Sequence, residues 1–183
     1  MSIIIPLLKI MKMKKPKSKI PLFKVFMAPT AKKKVGEVLD SGFIGQGSKV
    51  DEFEVNLKKY FNNDYTLTTN AGTSALHLAL HLLKEPDENQ ASFQGVAFWD
   101  QKWPGLKEGD EVLATPMTCT ASNWPILANG LKIKWVDIDP KTLNMDLDDL
   151  ARKISPTTKA IMLVHWGGYP NDLRKIKEIQ EKA

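Results

Sequence analysis

From Tyr65 onward the sequence switches four times between a short β-rich run and a helical run, and this alternation limits the fold more than any other feature. "YTLTTN" reads as a strand and "TSALHLALHLLK" as a helix; "EVLATP" is followed by "TASNWPILANG", which ends in a glycine stop. "KIKWVDID" precedes "DLDDLARKI", and "AIMLVHWGG" precedes "NDLRKIKEIQEKA". Strands joined by helices need right-handed crossovers, which build a mostly parallel sheet with helices on both faces. The expected class is therefore α/β, with ligands at the carboxyl ends of the strands. "AIMLVHWGG" is continuously apolar rather than alternating, which predicts a strand buried on both faces.

Ahead of the alternation, "TAKKKVGEVLDSGFIGQGSKVDEFEVNLKKYF" reads as a helix, a glycine-punctuated loop and a second helix. Val50, Phe53, Leu57 and Phe61 share one helical face, and Ser48 is the expected N-cap. With 183 residues, 43% of them apolar, the chain suits one domain with a real core. Residues 1–20 are a basic extension expected to be disordered, and 21–183 form the domain. One segment interrupts the rhythm, an aromatic insertion at about 85–108 carrying Phe93, Phe98, Trp99 and Trp103. So long a connection with its own aromatics is expected to be a surface lid or partner-facing loop rather than a linker. No strand follows the last helix, so the domain reads as partial.

Charge separates function classes once its distribution is considered. The net charge is +5, yet residues 1–34 hold ten lysines and no acid, which leaves sixteen basic against 21 acidic residues in the body. An acidic body and a lysine tail without arginines or interleaved aromatics argue against nucleic-acid binding. "MSIIIPLL" is too short to span a bilayer and has its lysines on the wrong side for a signal peptide. Cys119 is the only cysteine, which excludes an internal disulfide and points to a reducing compartment such as the cytoplasm.

The stretch "NAGTS" at 70–74 joins the first expected strand to its helix. Such a junction offers free backbone N–H groups and the positive helix end to an anion. Gly72 permits close approach, and the hydroxyls of Thr73 and Ser74 add donors suited to a phosphate. The plainer alternative is that Thr73 or Ser74 caps the helix. His77 and His81 share a helix face as metal-binding pairs do, but no third ligand is near in sequence, so no metal site is expected. His165 ends a strand at the ligand edge, where it serves either the site or the core. Asp137, Asp139, Asp146, Asp148 and Asp149 lack the glycine and terminal glutamate of a calcium loop, and are expected to cap a strand exit and a helix start. A dinucleotide-binding Gly-x-Gly-x-x-Gly turn is absent.

Five ordered blocks, "SGFIGQGSKVDEFE", "NAGTSALHLAL", "GDEVLATPMTCTASNWPILANG", "WVDIDPKTLNMD" and "TTKAIMLVHWGGYPND", together resemble the DegT/DnrJ/StrS-type sugar aminotransferases. These are fold type I enzymes dependent on pyridoxal phosphate, and the likeness covers about residues 20–183, the amino-terminal half of such an enzyme. The resemblance implies that Gly72, Thr73 and Ser74 hold the cofactor's phosphate. It puts "PMTCTA" over the pyridine ring, with Cys119 where relatives commonly carry an aromatic, giving a thinner, polarizable contact. It sets Gly45, Gln46 and Gly47 near the active-site mouth as substrate-binding residues; His165 is counted with them from its place at the ligand edge of a strand. The family's acidic partner of the pyridine nitrogen and its Schiff-base lysine would both follow Ala183, so no catalytic residue is assigned here and the chain alone is expected not to turn over.

The function implied is transfer of an amino group from glutamate or glutamine to a keto-sugar nucleotide, for surface-polysaccharide or antibiotic-type sugar synthesis, by an enzyme that is a homodimer at full length. The alternatives are a sugar dehydratase of the same fold, with histidine in place of the lysine, and a non-catalytic truncated interaction module.

Overall fold

The structure is a computed structural model that describes residues 21, 24–84 and 105–182. The basic extension at 1–20 and residues 85–104 of the aromatic insertion lie outside them. The chain divides into two compact units, Met1–Leu57 and Lys58–Ala183.

The first unit holds helix α1 (Ala31–Asp40) and most of α2 (Ser48–Phe61). Neither helix contains a buried residue. Both nevertheless carry apolar side chains, and Val35, Leu39 and Phe53 are all more than half exposed. Gly47 rather than Ser48 starts α2: its carbonyl accepts from Val50 N at 2.8 Å and Asp51 N at 3.3 Å, and Ser48 is the first helical residue. Expecting Ser48 as the cap was one residue late.

The second unit is built on a three-stranded parallel sheet. Its strands are β1 (Glu111–Ala114), β2 (Lys132–Trp135) and β3 (Thr158–Met162), in the order β2-β1-β3. The central strand β1 has Val112, Leu113 and Ala114 fully buried, and successive side chains point to opposite faces. Val112 and Ala114 pack with Leu80 of α3 (Gly72–Leu82) and Ile126 of α4 (Thr120–Ala128). Leu113 packs on the other side with Leu150 of α5 (Leu147–Lys153) and Ile176 of α6 (Leu173–Lys182). The result is an α/β unit with a parallel sheet between helices, as the alternation requires.

Two sequence expectations change. Residues 65–70 form no strand among the described residues; instead local side-chain bonds hold this stretch, with Tyr65 N donating to Asn63 Oδ1 at 2.8 Å and Thr66 Oγ1 to Asn63 O at 2.9 Å. A β-rich run becomes a strand only beside a partner, and no strand of the sheet pairs with residues 65–70 among the described residues. Nor is β3 buried on both faces: Ala160, Ile161 and Met162 are only half-buried, because among the described residues β3 pairs with β1 alone. The doubly covered strand is β1.

Helix α4 ends as its glycine predicts. Leu131 N donates to Ile126 O at 3.1 Å and Gly130 N to Leu127 O at 3.0 Å, while Gly130 takes φ +75°. This pair of bonds with a left-handed glycine is the Schellman stop, and the apolar Leu131 and Ile126 that flank it join one core cluster.

Candidate functional site

Helix α3 carries the first candidate. Leu106 N donates to Leu83 O at 2.7 Å, so the helix ends beside the segment that leads into the amino end of β1. The middle of α3 is tied to the end of α4, Asn129 Nδ2 donating to His77 O at 3.2 Å, so the start of α3 lies beyond that point, on the side away from Leu83.

At that start Ala71 is the N-cap, extended at φ −157° and ψ 153°, and makes no side-chain cap bond. Neither Thr73 nor Ser74 caps the helix, which excludes the plainer alternative. Ser74 Oγ donates to Asn70 Oδ1 at 2.8 Å, and the first helical bond is Ala75 N to Ala71 O at 3.1 Å. The amides of Gly72, Thr73 and Ser74 precede that bond and have no partner among the described residues. Gly72 is exposed, with open space where a Cβ would stand, and the first turn holds no acid. Three unpaired N–H groups at a positive helix end make a site of the right sign for a phosphate.

Cys119 and His165 leave the carboxyl ends of neighbouring strands. Cys119, exposed, is the N-cap of α4 at φ −63° and ψ 141°. The turn leading to it is held by Asn123 Nδ2 donating to Thr115 O at 3.1 Å and by the Thr118 and Ser122 hydroxyls 2.9 Å apart. His165 is also exposed and opens the turn Trp166–Gly168, in which Gly167 and Gly168 take φ +58° and +83°. Buried Asn144 pins this turn from outside, accepting from Trp166 N at 2.9 Å and donating to Tyr169 O at 3.0 Å. Asn171 closes it from inside, with its backbone N 3.2 Å and its Nδ2 2.9 Å from His165 Nδ1.

Sequence reasoning missed both asparagines. "YPND" carried a turn signal, yet Asn171 was counted into the following helix. In fact α6 begins at Leu173, capped by Asp172 Oδ1, which accepts from Arg174 N and Lys175 N at 3.1 Å. The aspartates behave as expected: Asp146 caps α5 by accepting from Asp148 N and Asp149 N. Asp149 accepts from Asp137 N at 2.8 Å, and that backbone bond, helped by Lys153 at 2.7 Å, holds its carboxyl below the usual carboxylate range.

Gly45, Gln46 and Gly47 belong to the first unit. Gln46 and Gly47 line a recess of about 460 Å³ with Glu37, Phe43 and Lys49, whereas Gly45 is exposed outside that lining. A larger recess of about 680 Å³ lies between the β2–α5 connection and the start of α6. Its four aspartates, Asp139, Asp146, Asp148 and Asp172, outnumber Arg174 and Lys175, so it has the wrong sign for a phosphate. Of the other histidines, His77 packs edge-on against Trp124 with ring centres 5.7 Å apart. Among the described residues no group of three or more His, Cys, Asp or Glu is arranged to hold a metal, and no helix is long and apolar enough to cross a membrane.

Comparison with known proteins agrees with this fold. The profile of the DegT/DnrJ/EryC1/StrS aminotransferase family matches residues 27–183. The chain is 34% identical over 161 residues to the GDP-perosamine synthase of Escherichia coli O157:H7, covering 87% of itself and 38% of that protein. The crystal structure of the sugar aminotransferase CalS13 from Micromonospora echinospora superposes with a TM-score of 0.70 at 44% identity, over 90% of this chain and 39% of that one. The E. coli GDP-4-keto-6-deoxy-D-mannose-3-dehydratase with bound hydrated PLP gives 0.72 at 29% identity, over 89% and 38%. The chain thus spans about a third of the length of the curated relatives it matches. By profile, identity and superposition, it belongs to the DegT/DnrJ/EryC1/StrS aminotransferase family.

Proposed function

We propose that this chain is the cofactor-phosphate-binding part of a nucleotide-sugar aminotransferase that uses pyridoxal phosphate and takes its amino group from glutamate or glutamine. The observation that carries this is the unpaired run of amides at Gly72, Thr73 and Ser74 at a helix start, in a chain of this family. That donor set fits a phosphate dianion. When bound, pyridoxal phosphate supplies the electron sink for amino exchange at a carbonyl carbon.

Gly72 to Ser74 bind the phosphate, Thr73 Oγ1 adding a hydroxyl that has no partner among the described residues. Cys119 lies against the ring, and His165 meets the substrate. Gly45, Gln46 and Gly47 contribute to substrate binding. No residue takes the covalent role, and the 183 residues alone are expected not to turn over. The exposed apolar side chains of α1 and α2 support homodimerisation of the full protein. A single cysteine supports a cytoplasmic setting.

The same anion site serves a sugar dehydratase, the activity named for the E. coli relative. Assay of the full-length protein separates the two: an amino sugar formed at the expense of glutamate or glutamine identifies the aminotransferase, a deoxy sugar the dehydratase.

Equilibrium dialysis of this chain against pyridoxal phosphate and phosphate-free pyridoxal tests the binding role. The phosphate form is expected to bind at least about tenfold tighter, because charge-assisted bonds to the helix start add more than about 1.4 kcal/mol. Thr73→Asp is expected to abolish that preference while leaving thermal stability unchanged or raised, since an acid in the first turn suits the helix dipole and repels phosphate. Equal binding of the two vitamers would reject the site.

A further inference from the structure

The contact between His165 and Asn171 deepens the role given to His165 above and rests on that reading only for what the ring meets. Two N–H donors of Asn171 converge on one ring nitrogen: its backbone amide at 3.2 Å and its side-chain Nδ2 at 2.9 Å from Nδ1. A backbone amide has no acceptor form. The side-chain orientation is fixed as well, because Nδ2 also donates to Val164 O at 2.8 Å. Reversing the amide would set two carbonyl oxygens at that distance. Nδ1 therefore faces two donors and must carry the lone pair, which leaves the proton of a neutral imidazole on Nε2.

This orientation has a cost. Asn171 is 6% exposed, and its Oδ1 has no partner among the described residues. A buried acceptor left unbonded is an exception in folded proteins, and here it accompanies an arrangement that spends both N–H donors on His165 and Val164. Asn144, two left-handed glycines and the bond from Gly168 N to His165 O at 3.1 Å hold the turn around it. His165 is an exposed residue, and its Nε2 makes no hydrogen bond among the described residues.

We propose that Asn171 is a positioning residue that locks His165 in the neutral Nε2–H tautomer, so that the ring presents a hydrogen-bond donor at the carboxyl edge of the sheet. The matching partner is an acceptor oxygen of a bound ligand, such as a carbonyl or phosphate oxygen. A group that must itself donate is refused. Unlike an imidazolium, the locked ring delivers this selectivity without adding charge beside the site.

Nitrogen-15 NMR of histidine-labelled protein tests the lock without any ligand. The chain has three histidines, and the His165→Gln variant identifies the signals of His165 by their loss. Spectra recorded at about pH 8 distinguish the two tautomers, because each has its own pattern of shifts. The expected spectrum has Nδ1 in the unprotonated range and Nε2 in the protonated range. Asn171→Asp offers a carboxylate to Nδ1 and is expected to move the proton there, exchanging the two shifts. A wild-type spectrum with the proton on Nδ1, or shared between both nitrogens, overturns the proposal, as does an unchanged spectrum in a folded Asn171→Asp protein. The wild-type result stands even if that variant does not fold. Because no cofactor is added, failure of the phosphate site leaves this result untouched, and the reverse also holds.

Discussion

The carboxylate of Glu111, at the start of the central strand, accepts the hydroxyl of Thr158 on β3 at 2.8 Å. It also accepts from Lys134 Nζ of β2 at 3.3 Å and from Ser155 Oγ at 3.2 Å, so one side chain joins all three strands. Burial pushes the carboxyl up, and the bonds from Thr158, Lys134 and Ser155 outweigh it, leaving Glu111 below the usual glutamate range. A depressed folded pKa contributes stability that is fully present above the unfolded value of about 4.3 and is lost as pH falls through the folded value. Glu111→Gln keeps the shape and removes the charge. Its expected cost is about 1 kcal/mol at neutral pH, shrinking as pH drops below about 4. Urea midpoints of both proteins from pH 7 to the acid limit check this; a constant difference would show that charge is not the cause.

Two glycines are expected to respond to alanine with opposite signs. Gly130 stands at φ +75°, and a Cβ there would lie 3.2 Å from Glu108 Cγ. Its replacement strains the Schellman stop by about 1–2 kcal/mol. Gly36 sits within α1, where a Cβ meets nothing within 4 Å. Alanine there is expected to stabilise the helix by about 0.5–1 kcal/mol. Thermal melts and helical circular dichroism of the two variants measure both. Destabilisation by Gly36→Ala would mean that α1 is held in a different backbone conformation.

Leu113 tests which strand is the core. It is fully buried and meets Val136, Leu150 and Ile176 on the α5/α6 side of the sheet. Leu113→Ala is expected to cost about 2–5 kcal/mol, the range for a fully buried leucine. Ile161→Ala on half-buried β3 should cost less than Leu113→Ala. Denaturant midpoints that reverse this ranking would contradict the sheet order.

What the sequence revealed depended on how local each cause was. The stop at Gly130 and the cap at Asp146 arise from a few neighbouring residues, so the pattern was enough. The strand expected at 65–70 failed because its composition was right while pairing depends on a neighbour, which local pattern does not supply. The apolar run around Ile161 misled in a related way: it fits a central strand, but its place in the sheet order decides its burial. At the site, the small-residue turn at Gly72 was visible from sequence. The hold of Asn171 on His165 was not, since it needs the left-handed turn at Gly167 and Gly168 to bring position 171 back onto position 165.

Cys119 offers a gain-of-function test of the proposed cofactor orientation. As N-cap of α4 it contributes no side-chain cap bond, it is exposed, and its extended backbone accepts any residue. Replacing it with tyrosine therefore removes no interaction the fold relies on, and stability is expected to stay within about 0.5 kcal/mol. If the side chain faces the cofactor ring, the larger π surface adds about 0.5–1.5 kcal/mol of stacking, which tightens pyridoxal phosphate binding about two- to tenfold. Cys119→Ser provides the contrast, because it changes polarity without adding a ring and is expected not to tighten binding. Dialysis of the three proteins against pyridoxal phosphate distinguishes the cases. Weaker or unchanged binding in the tyrosine protein, with its melting temperature intact, would place the ring away from the start of α4.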